Sequence, residues 1–194
     1  MKVSREQVAL NRERIVDTAA RLFRQKGYDG IGVSDLMKSA GLTHGGFYGH
    51  FASKEDLLAA ATAHALNGSV LRWQQKAASA GSGAAALHDI ADHYLSAAHR
   101  DHPQTGCAIA ALGPDLARLG PAARGALTAG ARGQVAVLQQ CLDGGDAAVQ
   151  RRQALARYAA MVGAMVLARA VDDPDLSDDI LAAVREHVTQ GANG

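Results

Sequence analysis

The stretch SDLMKSAGLTHGGFYGHF, residues 34–51, decides the fold. Ser34 is placed to cap a short helix, SDLMKSA, that turns Leu36, Met37 and Ala40 inward and breaks at Gly41. Thr43 is placed to cap the next helix, HGGFYGHF. Three glycines there, Gly45, Gly46 and Gly49, each cost about 1 kcal/mol against alanine in a helix, so a loop or phosphate cradle competes with the helical reading. Two short helices meeting at a glycine turn match the helix-turn-helix pattern, which any helical hairpin of a three-helix bundle also imitates.

Upstream, about Asn11 to Lys26 carries Ile15, Ala19, Leu22 and Phe23 at helical spacing, closed by Gly27 and preceded by a polar arm. Downstream, Ser53 with Asp56 forms an approximate capping box for a fourth helix of about Lys54 to Lys76. A fifth helix carries Leu87, Ile90, Ala91, Tyr94, Leu95 and Ala98. A sixth begins near Cys107 and ends around Leu119. Pro121 suits the first position of a seventh. An eighth spans about 147–171, and Ser177 is placed to cap a ninth, about 177–190. No segment alternates like a strand, so the expected class is all-α: a three-helix head over 1–52 and a larger bundle over 53–194.

The net charge of +1 conceals an asymmetry. Residues 1–54 carry a balance of +4 and the remainder −3, which fits a phosphate-contacting head on a separate scaffold. Two cysteines, Cys107 and Cys141, make no disulfide framework or CxxC site. No signal peptide is visible and no uncharged apolar run is long enough to span a membrane, so a cytoplasmic location is expected.

The run RERIVDTAARLFRQKGYDGIGVSDLMKSAGLTHGGFYGHFASKEDLL closely resembles the DNA-binding head of the TetR family of transcriptional regulators, over roughly residues 11 to 60. GCAIAALGPDLARL followed by GARG looks like a subgroup of that family. The resemblance implies a homodimeric regulator, most often a repressor, on a roughly palindromic double-stranded operator. Under that role Ser34 and Thr43 offer hydroxyls to phosphate, and Tyr48 and Lys54 flank the groove. His44, Gly45, Gly46, Gly49 and His50 would face base edges, while Phe47 and Phe51 pack inward. The bare glycines would let the backbone approach closely, leaving thymine methyls and groove shape to matter more than bidentate contacts.

The family dimerises through its last two long helices. Here the matching apolar stripes are Leu155, Tyr158, Val162, Met165 and Val166, then Ile180, Leu181, Val184 and Val188; each stripe fits the chain's own core equally well. A family member also holds a small-molecule effector among helices four to eight. Candidate lining residues are His64, Trp73, Tyr94, Met161 and Met165, residue types that also serve as plain core. Cys107 is the sharper candidate. A helix N-terminus favours a thiolate, and His99, His102, Arg100 and Arg118 are in position to add positive charge, so an oxidant or electrophile is a candidate effector. The competing reading is a small buried hydrophobe. His99, His102 and Cys107 lack a fourth metal ligand, so neither metal nor cofactor is expected. Two other function classes remain: a cysteine-dependent enzyme built on Cys107 with His99 or His102, and a protein-interaction adaptor with a degenerate head.

Overall fold

The computed structural model describes residues 4–190. Residues 1–3 of the expected arm and 191–194 lie outside the described residues. All regular structure within them is helical. The order is α1 (Arg5–Lys26), α2 (Val33–Ser39), a 3-10 helix (His44–Gly49), α3 (Lys54–Ser79), α4 (Gly83–Tyr94), α5 (Ala97–Asp101), α6 (Ala108–Ala117), α7 (Pro121–Gln140), α8 (Ala147–Ala170) and α9 (Pro174–Thr189).

Caps explain most of the boundaries. Gly27 ends α1 at φ 75°, and Gly41 makes the turn after α2 at φ 71°, both in the left-handed region that favours glycine. The Ser53 hydroxyl accepts from the Asp56 N–H, and an Asp56 carboxylate oxygen accepts from the Ala52 N–H.

Five boundaries differ from the sequence reading. The expected arm is helical from Arg5, because the Ser4 hydroxyl caps the Gln7 N–H. Gly32, not Ser34, caps α2, and Ser34 is exposed one residue inside it. The third helix is 3-10 rather than α, in keeping with its glycines. The fifth helix breaks at Leu95: Ser96 caps a separate α5, and the Tyr94 carbonyl accepts a hydrogen bond from the His99 ring. The cap of α9 is Asp173, while Ser177 is buried and donates to the Ala168 carbonyl.

Two apolar cores result. The head core joins Ile15, Phe23, Leu36, Met37, Phe47 and Phe51 to Leu57, Leu58 and Ala61 of α3 and to Leu112 and Leu116 of α6. The body core gathers Trp73, Leu87, Ile90, Tyr94, Leu138, Met161 and Met165, with Cys107 and Ala110 of α6. Both α3 and α6 therefore contribute to both cores. Buried side chains of this size stabilise by about 1.5–3 kcal/mol each, so a shift of either helix is felt in both.

Candidate nucleic-acid interface and effector cleft

In the head, Phe47 and Phe51 are buried, with ring centroids 5.9 Å apart, and they anchor the 3-10 helix. A 3-10 helix repeats every three residues, so positions 44, 47 and 50 share one row and 45 and 48 another. Gly45, Gly46 and Gly49 are exposed, and Tyr48 is 68% exposed between them. The Tyr48 ring stands edge-on to Phe47 at 5.2 Å and to His44 at 6.1 Å. A Cβ built at Gly45 or Gly49 meets nothing within 4 Å, and none of the three glycines has a positive φ.

Ser34 and Thr43 are exposed, and neither hydroxyl caps its helix. Lys54 lies at the start of α3 with its ammonium 4.3 Å from the centre of the Tyr28 ring. His50 is half-buried beside Phe51, and its Nδ1 is buried without a hydrogen-bond partner. Of the expected DNA-facing residues, Ser34, Thr43, His44, Tyr48 and the three glycines are exposed, whereas His50 and Lys54 are half-buried.

In the body, a cleft of about 770 Å³ lies between α3, α4 and the α5–α6 connection. Of the expected effector residues, Trp73, Tyr94 and Cys107 line it. His64 lies elsewhere: it is exposed and points its Nε2 at Asp17 of α1, 3.6 Å away. Met161 and Met165 are fully buried in the body core and do not line the cleft. Their spacing alone could not separate a core face from a cleft face.

Cys107 is the N-cap residue of α6 and is 5% exposed. Its backbone N–H donates to His99 Nε2 at 2.8 Å, so His99 Nδ1 carries the proton it donates to the Tyr94 carbonyl at 2.6 Å. Burial, with help from Arg169 and His93, brings the His99 pKa down to about 4 against the opposing pull of the Tyr94 carbonyl. A Cβ at Gly106 would come within 2.6 Å of this ring, so glycine there lets the imidazole seat on the backbone.

Two sequence expectations change as a result. His99 is a neutral clamp on the backbone rather than a positive neighbour of the thiol. Its acceptor nitrogen is also committed, which removes the base that a Cys107–His99 enzyme would need. Arg100 is engaged by Asp101 and Asp178. Arg169 donates to the backbone beside it, to the Arg100 carbonyl at 3.1 Å and the His99 carbonyl at 2.7 Å. The His102 ring bonds the Ala98 carbonyl, and no group of three or more metal-ligating side chains gathers among the described residues.

The sequence reading missed the ties between cleft and head. The Arg24 guanidinium of α1 donates to the Gln104 carbonyl at 2.6 and 3.0 Å, three residues before Cys107. The Tyr28 N–H donates to the Asp115 carboxylate of α6 at 3.0 Å, and the Gly120 N–H to Glu55 of α3 at 2.7 Å. Each partner lies 65 or more residues away, beyond the reach of any local pattern.

On α8 and α9 the expected stripes divide. Tyr158, Met165, Leu181 and Val188 are buried within the chain, and the Tyr158 hydroxyl donates to buried Gln134. Leu155 and Val166 are exposed, as are Leu167 and Leu176, while Val162, Ile180 and Val184 are partly covered. Among the described residues no helix is long and apolar enough to cross a membrane.

Comparison with known proteins accounts for this layout. The family model for bacterial regulatory proteins of the tetR family matches residues 15–61, the head. The HTH-type transcriptional repressor NemR of Escherichia coli K12 is 30% identical over 139 residues, covering 69% of this chain and 68% of its own. The crystal structure of reduced E. coli NemR aligns over 92% of this chain and 94% of its own, with TM-score 0.78 and 26% identity. The Bacillus subtilis regulator FadR, solved with stearoyl-CoA, shares the fold at TM-score 0.65 and 18% identity, covering 92% and 98% of the two chains. The chain belongs to the TetR family and is a helix-turn-helix transcriptional regulator.

Proposed function

We propose that the chain is a homodimeric repressor, with residues 1–52 on a roughly palindromic operator and residues 53–194 for effector binding and dimerisation. Ser34, Thr43, Tyr48 and Lys54 hold phosphates. His44, His50 and the glycine surface face the bases. Two heads joined through the exposed apolar residues of α8 and α9, including Leu155 and Val166, double the phosphate contacts of one.

Release from the operator follows modification of Cys107 by an oxidant or electrophile. One observation carries this reading: Cys107 opens α6 on the cleft wall, while Leu112 and Leu116 of the same helix lie in the head core. The thiol is 5% exposed but lines the cleft, so an added group there presses on the start of α6 from the cleft side. The displacement reaches the head through α6 and through the Arg24–Gln104 and Tyr28–Asp115 bonds. The NemR relative is a repressor whose structure was solved in a reduced form, which agrees with this assignment.

The test is selection of bound DNA at fixed salt, followed by fluorescence anisotropy with and without thiol oxidant. Wild type loses affinity on oxidation, and Cys107→Ser holds the operator under the same treatment. A Cys107→Ser protein that still releases DNA on oxidation contradicts the thiol mechanism.

A further inference from the structure

The cleft has a charge character that the thiol reading does not use. Arg72 and Lys76 sit one turn apart on α3, and both line it. Among the described residues neither forms a salt bridge, and no aspartate or glutamate lines the cleft. Neighbouring groups register this field. His93 of α4 is held below its ordinary pKa by burial and then by Lys76 and Arg72, and the Arg24 pKa is lowered by burial and then by Arg72. The floor has a different character. Trp73, Tyr94 and Cys107 are buried, with the Tyr94 hydroxyl beside the Cys107 thiol. Two unneutralised cations at the rim of an aromatic floor repel a cationic ligand and give a neutral one no charge to pair with. An anion relieves their repulsion and gains charge-assisted hydrogen bonds.

We propose that this cleft binds an organic anion reversibly, its carboxylate or equivalent acidic group held by Arg72 and Lys76 and its apolar body resting on Trp73 and Tyr94. The inference rests on reading the cleft as the effector site, but not on modification of Cys107.

The test uses a matched pair, 1-naphthaleneacetate and the neutral 1-naphthaleneacetamide, titrated calorimetrically into the full chain. The acetate binds about tenfold or more tighter than the amide, and added salt erodes the difference. In an Arg72→Gln, Lys76→Gln double variant the two bind about equally. Arg72 is exposed and Lys76 only half-buried, so the variant keeps its core; a melting curve checks this, and each single variant halves the question if it does not. Equal binding in wild type, a preference that survives the double variant, or no binding of either compound overturns the proposal. The thiol mechanism is read from operator release on oxidation and anion binding from this matched pair on the reduced protein, so the two failures are read separately.

Discussion

Gly45, Gly46 and Gly49 of the 3-10 helix and Gly130 and Gly133 of α7 place one residue type in opposite surroundings. A Cβ at Gly130 would fall 2.5 Å from the Cβ of Leu66 on α3, and one at Gly133 would fall 2.9 Å from a Val70 methyl. The missing side chains on α7 are what let it pack closely along α3. In the head, a Cβ at Gly45 or Gly49 meets open space, and one at Gly46 meets only ordinary contacts at 3.7 and 3.8 Å. Neither packing nor backbone conformation within the chain calls for glycine there. Interior glycines answer to a neighbour that is present, whereas the head glycines answer to one that arrives, and the proposed arrival is the floor of a DNA groove.

Breaking the interior side of this comparison has the largest effect. Gly130→Leu drives a side chain into fully packed Leu66 and costs stability at the upper end of ~1–3 kcal/mol, read as a lower urea midpoint. A wild-type midpoint would mean that α3 and α7 have slack, and the contrast would collapse.

Protons probe the interior next. His99 takes a proton at about 6.5 when unfolded but only near 4 when folded, so the unfolded state binds it first. Its contribution to stability is intact above about pH 6.5 and is lost as pH falls toward 4, on the order of 2 kcal/mol after allowance for partial exposure. Urea unfolding across that window shows a steeper acid loss for wild type than for His99→Gln. Equal slopes would mean that the ring is not held dry on the Cys107 backbone.

Gly133→Ala is milder, roughly 0–1 kcal/mol in either direction, because a Val70 methyl can swing aside and alanine favours the helix. Calorimetric melting of this variant against Gly130→Leu ranks the two contacts. A larger loss at Gly133 reverses the assignment of the tighter one.

The same contrast marks how far the sequence was legible. Helix spacing, the Gly27 and Ser53 caps and Pro121 are local signals, and they located α3, α7 and the end of α1 to within a few residues, while α1 begins six residues before the expected Asn11. The break at Leu95 was not local in this sense. The spacing of Leu87 to Ala98 runs straight through it, and the interruption depends on the His99 ring binding the Tyr94 carbonyl. Ser34 and Ser177 misled as caps because a capping residue type does not say which turn comes first. In the cleft, the aromatic and thiol floor of Trp73, Tyr94 and Cys107 was visible as residue types. Arg72 and Lys76 were not singled out, since an exposed cation on a helix reads as solvated until the cleft beside it is seen. Met161, Met165 and His64 show the converse, with suggestive chemistry on faces turned into the core or out to α1.

The most direct measurement takes a Gly45→Ala, Gly49→Ala protein and records its melting temperature and operator affinity together. Each added methyl enters open space and restricts the unfolded chain, so stability holds or rises by up to about 1 kcal/mol. Operator affinity falls about tenfold or more, because the methyls stand between backbone and groove. A protein that melts at or above the wild-type temperature and binds its operator with undiminished affinity contradicts the account.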